Sequence, residues 1–589
     1  MVALIKSSTL VGIDAVTVDV ECVIAPGQLP QFAVVGLPTA AVKEGAVRVR
    51  SALKTVGYEV PAKRVTVNLA PADLRKSGSG FDLPTALSIL IADDIFEGSA
   101  LDRLLVLGEL GLAGSIRAVP GVLAATILAK ERGLRGVLVP DRSAAEALVV
   151  EGIEVYGARH LNQIIETLAG RAELPLPSNV SGTRRRRRVV VTSDMSDIRG
   201  QHLAREAIEL AVSGGHNLLL SGPPGTGKTM LARRIPTVLP RMTKDEALET
   251  TKIYSALGLA DGLIEERPFR APHHTISTAA LLGGGTSPRP GEISLAHNGV
   301  LFLDELPEFS RSTIESLRQP LEDRTMTIGR ISGTIRIPAS FLLVAAANPC
   351  PCGWLGFSAR ECTCSGSACD RYSARLSGPL LDRIDLQVRV EPISLPELRD
   401  MKPGESSAAM RDRVVVARDR QRARLAPWGI RTNAEMTSRI LRECCKLDDA
   451  CERKLAEIVA KRQSMSARGI DRLLKVARTV ADMMGNGSIR PEDLLEASRY
   501  RAVDPTADVI IPTNRPPPGP GDPSRPRMKR RKRSAPADAS PEPPSTTGTP
   551  PIDQAAETPP EPSAVIEIGP LLALDVVPSI PAVTEGSPS

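Results

Sequence analysis

Apolar and polar residues alternate through the first part of this chain. Val16, Val18, Val20, Cys22 and Ile24 fall on one face, with Thr17, Asp19 and Glu21 between them, which is the period-two pattern of a half-buried strand. Val65, Val67 and Leu69 repeat it, and Gly136-Val137-Leu138-Val139-Pro140 predicts a later strand. Val42, Ala46, Val49, Leu53 and Val56 instead recur at helical spacing, after the turn Gly36-Leu37-Pro38. Strands mixed with a helix predict an α/β module over residues 1–170, with no evident catalytic constellation.

Further along, three short runs are apolar without alternation: Asn217-Leu218-Leu219-Leu220, then 299–303, then 341–347. Their length and apolar continuity suit buried parallel strands, and such strands bind ligands at their C-terminal ends. The first run leads into Gly222-Pro223-Pro224-Gly225-Thr226-Gly227-Lys228-Thr229, with helix-forming residues at 230–235. Strand, glycine loop and helix is the setting of a phosphate-binding loop, GxxxxGK[ST]. Its backbone N–H groups cradle phosphates, Lys228 would reach the β- and γ-phosphates of ATP, and the Thr229 hydroxyl would ligate Mg²⁺. The second run delivers Asp304 and Glu305. Asp304 would hold Mg²⁺, and Glu305 would orient the attacking water. The third ends at Asn348, whose amide would bond the γ-phosphate or that water.

Between these runs lie insertions. Thr325 to Pro338 alternates on both sides of Ser332-Gly333, a hairpin signal, with Arg330 near the turn as a phosphate-backbone contact or an ordinary surface arginine. Gly283-Gly284-Gly285-Thr286-Ser287-Pro288-Arg289-Pro290 reads as a mobile loop with Arg289 near its tip. His273 and His274 precede it, and adjacent histidines with no third ligand nearby make a poor metal site. Cys350, Cys352, Cys362 and Cys364 form two close pairs, with Cys369 beyond. They suit a Cys₄ zinc site or a set of reduced thiols, CxC being a tighter chelate than the usual CxxC. Leu473, Val476, Ala477 and Val480 give a helical stripe in a lid over residues 395–502, and Pro491-Glu492-Asp493 suits a helix's first turn.

Composition changes this picture at its margins. With 589 residues the chain exceeds one core. A linker over 171–192 carries five arginines at 184–188, a solvated run or a nucleic-acid contact. From 503 to 589, Pro-rich and Ser/Thr-rich stretches around the basic cluster at 529–533 cannot bury a core and predict disorder. The net charge of +6 permits a polyanionic partner, while 3% aromatic residues leave little for base stacking. No run reaches a membrane span, and the N-terminus lacks a signal peptide's pattern, so a soluble cytoplasmic protein without membrane contact is expected.

Gly36-Leu37-Pro38, Val67-Asn68-Leu69-Ala70-Pro71-Ala72-Asp73 and Gly80-Phe81-Asp82-Leu83-Pro84 resemble the N-terminal domain of the ComM/YifB family of magnesium-chelatase-like AAA+ ATPases. The resemblance covers about residues 1–502. It implies a Lon-protease-like N-terminal domain (ribosomal S5 domain 2-like) over 1–170, an AAA+ P-loop ATPase core over 193–394, and the helical lid. Lon proteases use a Ser–Lys dyad, whose serine position falls here near Gly78, between Ser77 and Ser79, and whose lysine position falls near Leu123, where no lysine occurs, so a non-proteolytic scaffold is expected. Asn348 takes the sensor-1 place. Ser377-Gly378-Pro379-Leu380-Leu381-Asp382-Arg383 resembles the stretch carrying an arginine finger, which maps to Arg383 and would reach ATP on a neighbouring subunit; the other reading is an intrachain pair with Asp382 or Asp385. Ser466-Ala467-Arg468 resembles the sensor-2 region, with Arg472, one turn on, as the rival. The family further implies a homo-hexamer with branched or single-stranded DNA in its pore, acting as a translocase or branch-migration helicase in recombination or natural transformation. The alternative is a chelatase-type ATPase that remodels a protein partner for metal insertion.

Overall fold

The computed structural model describes residues 2–26, 30–178, 193–284, 289–330, 333–376, 378–393, 399, 403–461 and 465–501. The arginines at 184–188, the side chain of Arg330 and the tail from 503 onward lie outside them.

The alternating N-terminal segments form the longest strands. β1 (Val2–Val11) and β2 (Asp14–Ala25) pair antiparallel, and β3 (Gln31–Val35) runs parallel to β4 (Arg64–Ala70). After β5 (Leu104–Val106), a ribbon of β6 (Glu109–Leu110) and β7 (Ile116–Arg117) precedes β8 (Gly136–Pro140) and β9 (Glu154–Ala158). Seven of these strands make one mixed sheet in the order β3-β4-β2-β1-β5-β8-β9. Val18, Val20 and Cys22 are fully buried, as their spacing requires, under the helices Ala40–Thr55 and Asp82–Ala92. Leu105 and Val137 point to the other face, where the helix Val122–Glu131 covers them. Ser79 Oγ donates to Glu109, Lys76 Nζ donates to the Pro71 carbonyl, and Leu123 is buried.

A second sheet is built from the three apolar runs. Its strands are β10 (Leu218–Ser221), β11 (Phe269–Arg270), β14 (Val300–Leu303), β17 (Leu342–Ala347) and β18 (Leu386–Arg389). All pair parallel, in the order β11-β14-β17-β10-β18. Leu218 and Leu220 face one apolar layer and Leu219 the other, so unbroken apolar runs are what this two-sided sheet demands. The glycine-rich insertion has a small antiparallel base, β12 (Gly283–Gly284) with β13 (Arg289–Pro290), while 285–288 lie outside the described residues. The alternating insertion is the expected hairpin, β15 (Thr325–Arg330) with β16 (Gly333–Pro338). Its last pair is Arg330 with Gly333, so the connection is 331–332, one residue earlier than Ser332-Gly333.

Helices Ser407–Leu425, Ser438–Cys444, Asp449–Lys461, Ala467–Met484 and Pro491–Arg499 follow. Leu473, Val476, Ala477 and Val480 bury their stripe against the same layer as Leu218. Both sheets lie in one compact unit. They meet along the helix Lys244–Ser255. The Gly121 amide donates to the Ser255 carbonyl at 2.7 Å, and the Ser255 hydroxyl donates to Glu146 at 2.5 Å. At the β1–β2 turn, Ile13 packs with Ile253, Leu295 and Ile337, and a side chain on Gly12 would run into Ile335. Among the described residues, no helix is long and apolar enough to cross a membrane.

Candidate active site

The phosphate loop occupies the turn from β10 into the helix Lys228–Val238. Two glycines make that turn. Gly222 passes so close to the Val390 carbonyl that no side chain fits, and Gly227 has φ +87 at the helix entry, a conformation side chains disfavour. Lys228 begins the helix and folds back over the loop. Its Nζ donates to the carbonyls of Gly222 at 2.7 Å and Pro223 at 2.8 Å and to Asn348 Oδ1 at 3.1 Å. All three acceptors are neutral. Burial pushes the lysine's pKa below its ordinary value, against the opposing pull of Asp304 and Glu305. A phosphate at the loop would complete the charge of this ammonium, which is what the residue type and position suit.

Sheet order explains why Asn348 is there. β17 lies between β10 and β14, so their C-terminal ends are neighbours. Thr229 Oγ1 donates to Asp304 Oδ2 at 2.6 Å, bringing together the two groups that would hold Mg²⁺. Glu305 follows in the left-handed region, φ 52 and ψ 48, and its amide donates to Asp304 Oδ1 at 3.0 Å. That turn directs the Glu305 side chain outward, where it is 54% exposed and accessible to a bound water or substrate. Lys228, Thr229, Asp304, Glu305 and Asn348 therefore gather in one cluster at the strand ends, as the three motifs predict.

His274 also reaches this cluster. Its Nδ1 is 3.7 Å from Glu305 Oε2, and its ring lies tilted against that of His273, with centroids 4.1 Å apart. The pair makes no chelate with each other in sequence terms, but β11 runs parallel beside β14, with Arg270 opposite Leu301. Residues just past β11 must emerge beside residues just past β14. Knowledge of that strand neighbourhood would have flagged His274.

The two arginine candidates sit elsewhere. Arg383 is buried. Its Nη2 pairs with Glu322 Oε1 at 2.5 Å and its Nη1 donates to the Pro379 carbonyl at 2.7 Å. The intrachain partner is thus Glu322, which no motif marks, and not Asp382 or Asp385. Arg468 lies in the first turn of Ala467–Met484, 65% exposed, with Nη1 4.0 Å from the same Glu322 oxygen. Arg472 turns inward instead, 15% exposed and 3.8 Å from Asp385. The helix thus separates the two rivals: Arg468 shares a carboxylate with Arg383, and Arg472 joins a buried group with Asp385, itself bonded to the Asn217 amide at 2.9 Å.

The cysteines gather as expected, and Cys369 joins them. The sulfurs that lie mutually within 4.8 Å belong to Cys350, Cys362, Cys364 and Cys369. Cys369, from the helix Gly366–Ser373, comes within 3.9 Å of Cys362, while the Cys352 sulfur lies 3.3 Å from Cys350 and 3.5 Å from Cys362. Four neighbouring thiols of this kind fit a soft divalent ion.

Comparison with known proteins agrees with this architecture. Family models described as magnesium chelatase, subunit ChlI, match residues 194–398; subunit ChlI of Mg-chelatase, residues 20–143; and magnesium chelatase, subunit ChlI C-terminal, residues 404–501. The chain is 43% identical over 512 residues to competence protein ComM of Haemophilus influenzae, covering 85% of this chain and 97% of that one. It is 42% identical over 507 residues to the uncharacterized protein YifB of Escherichia coli, with the same coverage. A shorter stretch of 139 residues is 31% identical to Lon protease 2 of Bacillus subtilis, 22% of this chain and 25% of that one. The chain belongs to the ComM/YifB family of magnesium-chelatase-like AAA+ proteins.

Proposed function

We propose that this chain is a Mg²⁺-dependent ATP hydrolase that moves or unwinds DNA as a cytoplasmic homo-hexamer, in the manner of a branch-migration helicase serving recombination or natural transformation. The observation that carries the hydrolase reading is the side-chain cluster itself. A buried lysine with only neutral partners faces Asn348, and Thr229 and Asp304 lie beside an exposed Glu305. Lys228 and the loop amides would bind the phosphates, Thr229 and Asp304 would hold Mg²⁺, and Glu305 would polarise the water. Arg383 would serve the site of a neighbouring copy, and Arg468, in the sensor-2 region, would contact nucleotide. The N-terminal domain, Lon-like in this reading, would act without proteolysis, since Ser79 is engaged by Glu109.

Support for DNA as the object comes from two sources. The hairpin of β15 and β16 directly precedes the Asn348 strand, and a 43% identical relative is called a competence protein. The chelatase name of the family models supports a second reading, remodelling of a protein partner for metal insertion. A paired assay separates them. Glu305→Gln is expected to keep ATP binding and lose hydrolysis by at least a hundredfold. The wild type is expected to hydrolyse ATP faster with DNA and to unwind a four-way junction. Hydrolysis surviving in the variant would refute the role of Glu305, and the absence of any DNA binding or stimulation would refute the DNA reading.

A further inference from the structure

We infer that Cys350, Cys362, Cys364 and Cys369 bind one zinc ion, and that this zinc knuckle braces the phosphate loop and Asn348. The metal part stands by itself; the bracing part rests on the ATPase reading.

The four sulfurs lie within 4.8 Å of one another, close enough to share a single ion. Four thiolates at about 2.3 Å from tetrahedral zinc lie about 3.8 Å from one another. Cys350 and Cys362 are 3.7 Å apart, and Cys362 and Cys369 are 3.9 Å apart. All nine cysteines of the chain are free thiols, so no disulfide competes for these four. The Cys352 amide donates to Cys364 Sγ at 3.3 Å, the kind of N–H···S bond that supports a metal-bound thiolate. The Cys352 sulfur itself sits 3.3 Å from Cys350 and 3.5 Å from Cys362, closer than two vertices of the tetrahedron would be. It borders the quartet as a fifth thiol. Four soft donors in a closed set select zinc over magnesium or calcium.

The position of the knuckle gives it a task. Cys350 is fully buried and stands two residues after Asn348. The turn that begins at Cys350 closes with the Gly353 amide donating to the Cys350 carbonyl at 2.9 Å. Gly353 has φ +84 and lies so close to Pro224 of the phosphate loop that a side chain there would collide with the proline ring. On the far side, Arg389 donates to the Gly356 carbonyl at 2.6 Å and covers the Phe357 ring at 4.4 Å. One ion bonded to Cys350 would therefore hold, through a few bonds, both the residue that meets Lys228 and the surface on which the phosphate loop rests.

The test uses the full chain purified without a metal-binding tag. Elemental analysis is expected to find about one zinc per chain, and X-ray absorption to find four sulfurs at about 2.3 Å. Cys369→Ser should lose most of the zinc, while Cys352→Ser keeps it. Stripping zinc from the wild type with a chelator should raise the Kd for Mg-ATP severalfold, and adding zinc back should restore it. Zinc well below one per chain, nitrogen or oxygen ligands at the edge, or loss with Cys352→Ser but not Cys369→Ser would overturn the site. An unchanged Kd after stripping would overturn the bracing. A zinc-loaded chain that binds no ATP would overturn the ATPase reading and leave the metal site standing.

Discussion

Arg383 and Glu322 form a 2.5 Å ion pair in which the arginine is almost enclosed and the glutamate is half exposed. Arg383 Nε has no hydrogen-bond partner there. A finger that acts on a neighbouring copy must leave this pair. Arg383→Ala is expected to reduce ATP turnover about a thousandfold, the scale of an arginine finger supplied in trans. Glu322→Gln should keep turnover within about threefold of wild type, the modest change expected where a half-exposed carboxylate loses its charge. Mixing Lys228→Ala with Arg383→Ala chains should recover part of the activity, because each supplies what the other lacks. The measurement is steady-state phosphate release from the mixture and from each variant alone. Equal losses of turnover and of melting temperature in both variants would assign Arg383 a purely structural part.

Glu146 joins the two sheets through Ser255, and its burial pushes its pKa up from 4.5 to about 7, against the hydrogen bonds of Ser255 and the Leu123 amide. The folded chain thus holds this proton more tightly than the unfolded chain. Between about pH 4.5 and pH 7 the native state binds more protons, so stability falls as pH rises through that window and levels off above it. The shift corresponds to about 3 kcal/mol. Glu146→Gln is expected to be more stable than wild type at pH 8 by up to that amount and equal to it near pH 4, below the window. Urea unfolding at the two pH values checks this.

Asp482 is 1% exposed and receives two arginines. Arg424 bonds it at 2.6 and 2.7 Å, Arg478 at 2.9 Å, and Asn433 Nδ2 adds a bond at 2.9 Å. Asp482→Ala leaves Arg478, also buried, without its counter-charge. The expected cost is about 3–5 kcal/mol of stability. Unfolding midpoints of the variant and of a control at an exposed pair such as Arg499 with Glu496 would measure it.

Much of this architecture could be read locally. A phosphate loop is eight consecutive residues, and its glycines, lysine and threonine act within one turn, so 222–229 needed no tertiary knowledge. Asp304 and Glu305 were legible because an apolar run ending in two carboxylates has few other uses after such a loop. Val18, Val20 and Cys22 were legible because a strand's two faces repeat every second residue. Glu322, His274 and Cys369 were not. Each acts through a partner brought near by strand order or by a helix turning back, and no local spacing encodes that. Arg468 and Arg472 show the limit within one helix: a single turn places both on one side, and their burial alone separates them.

The packing of Ile13 against Ile253, Leu295 and Ile337 bears on how the chain can be divided. The hairpin of β15 and β16 is rooted in this cluster, and Gly12 lies flush on Ile335. A fragment that starts at residue 193 would expose those isoleucines to water and leave the hairpin's base without a floor. Glu146 and Gly121 would vanish from the end of the helix Lys244–Ser255 with it. The ATPase core is therefore not a separable cassette, and the shortest piece that keeps its surfaces covered includes the N-terminal sheet.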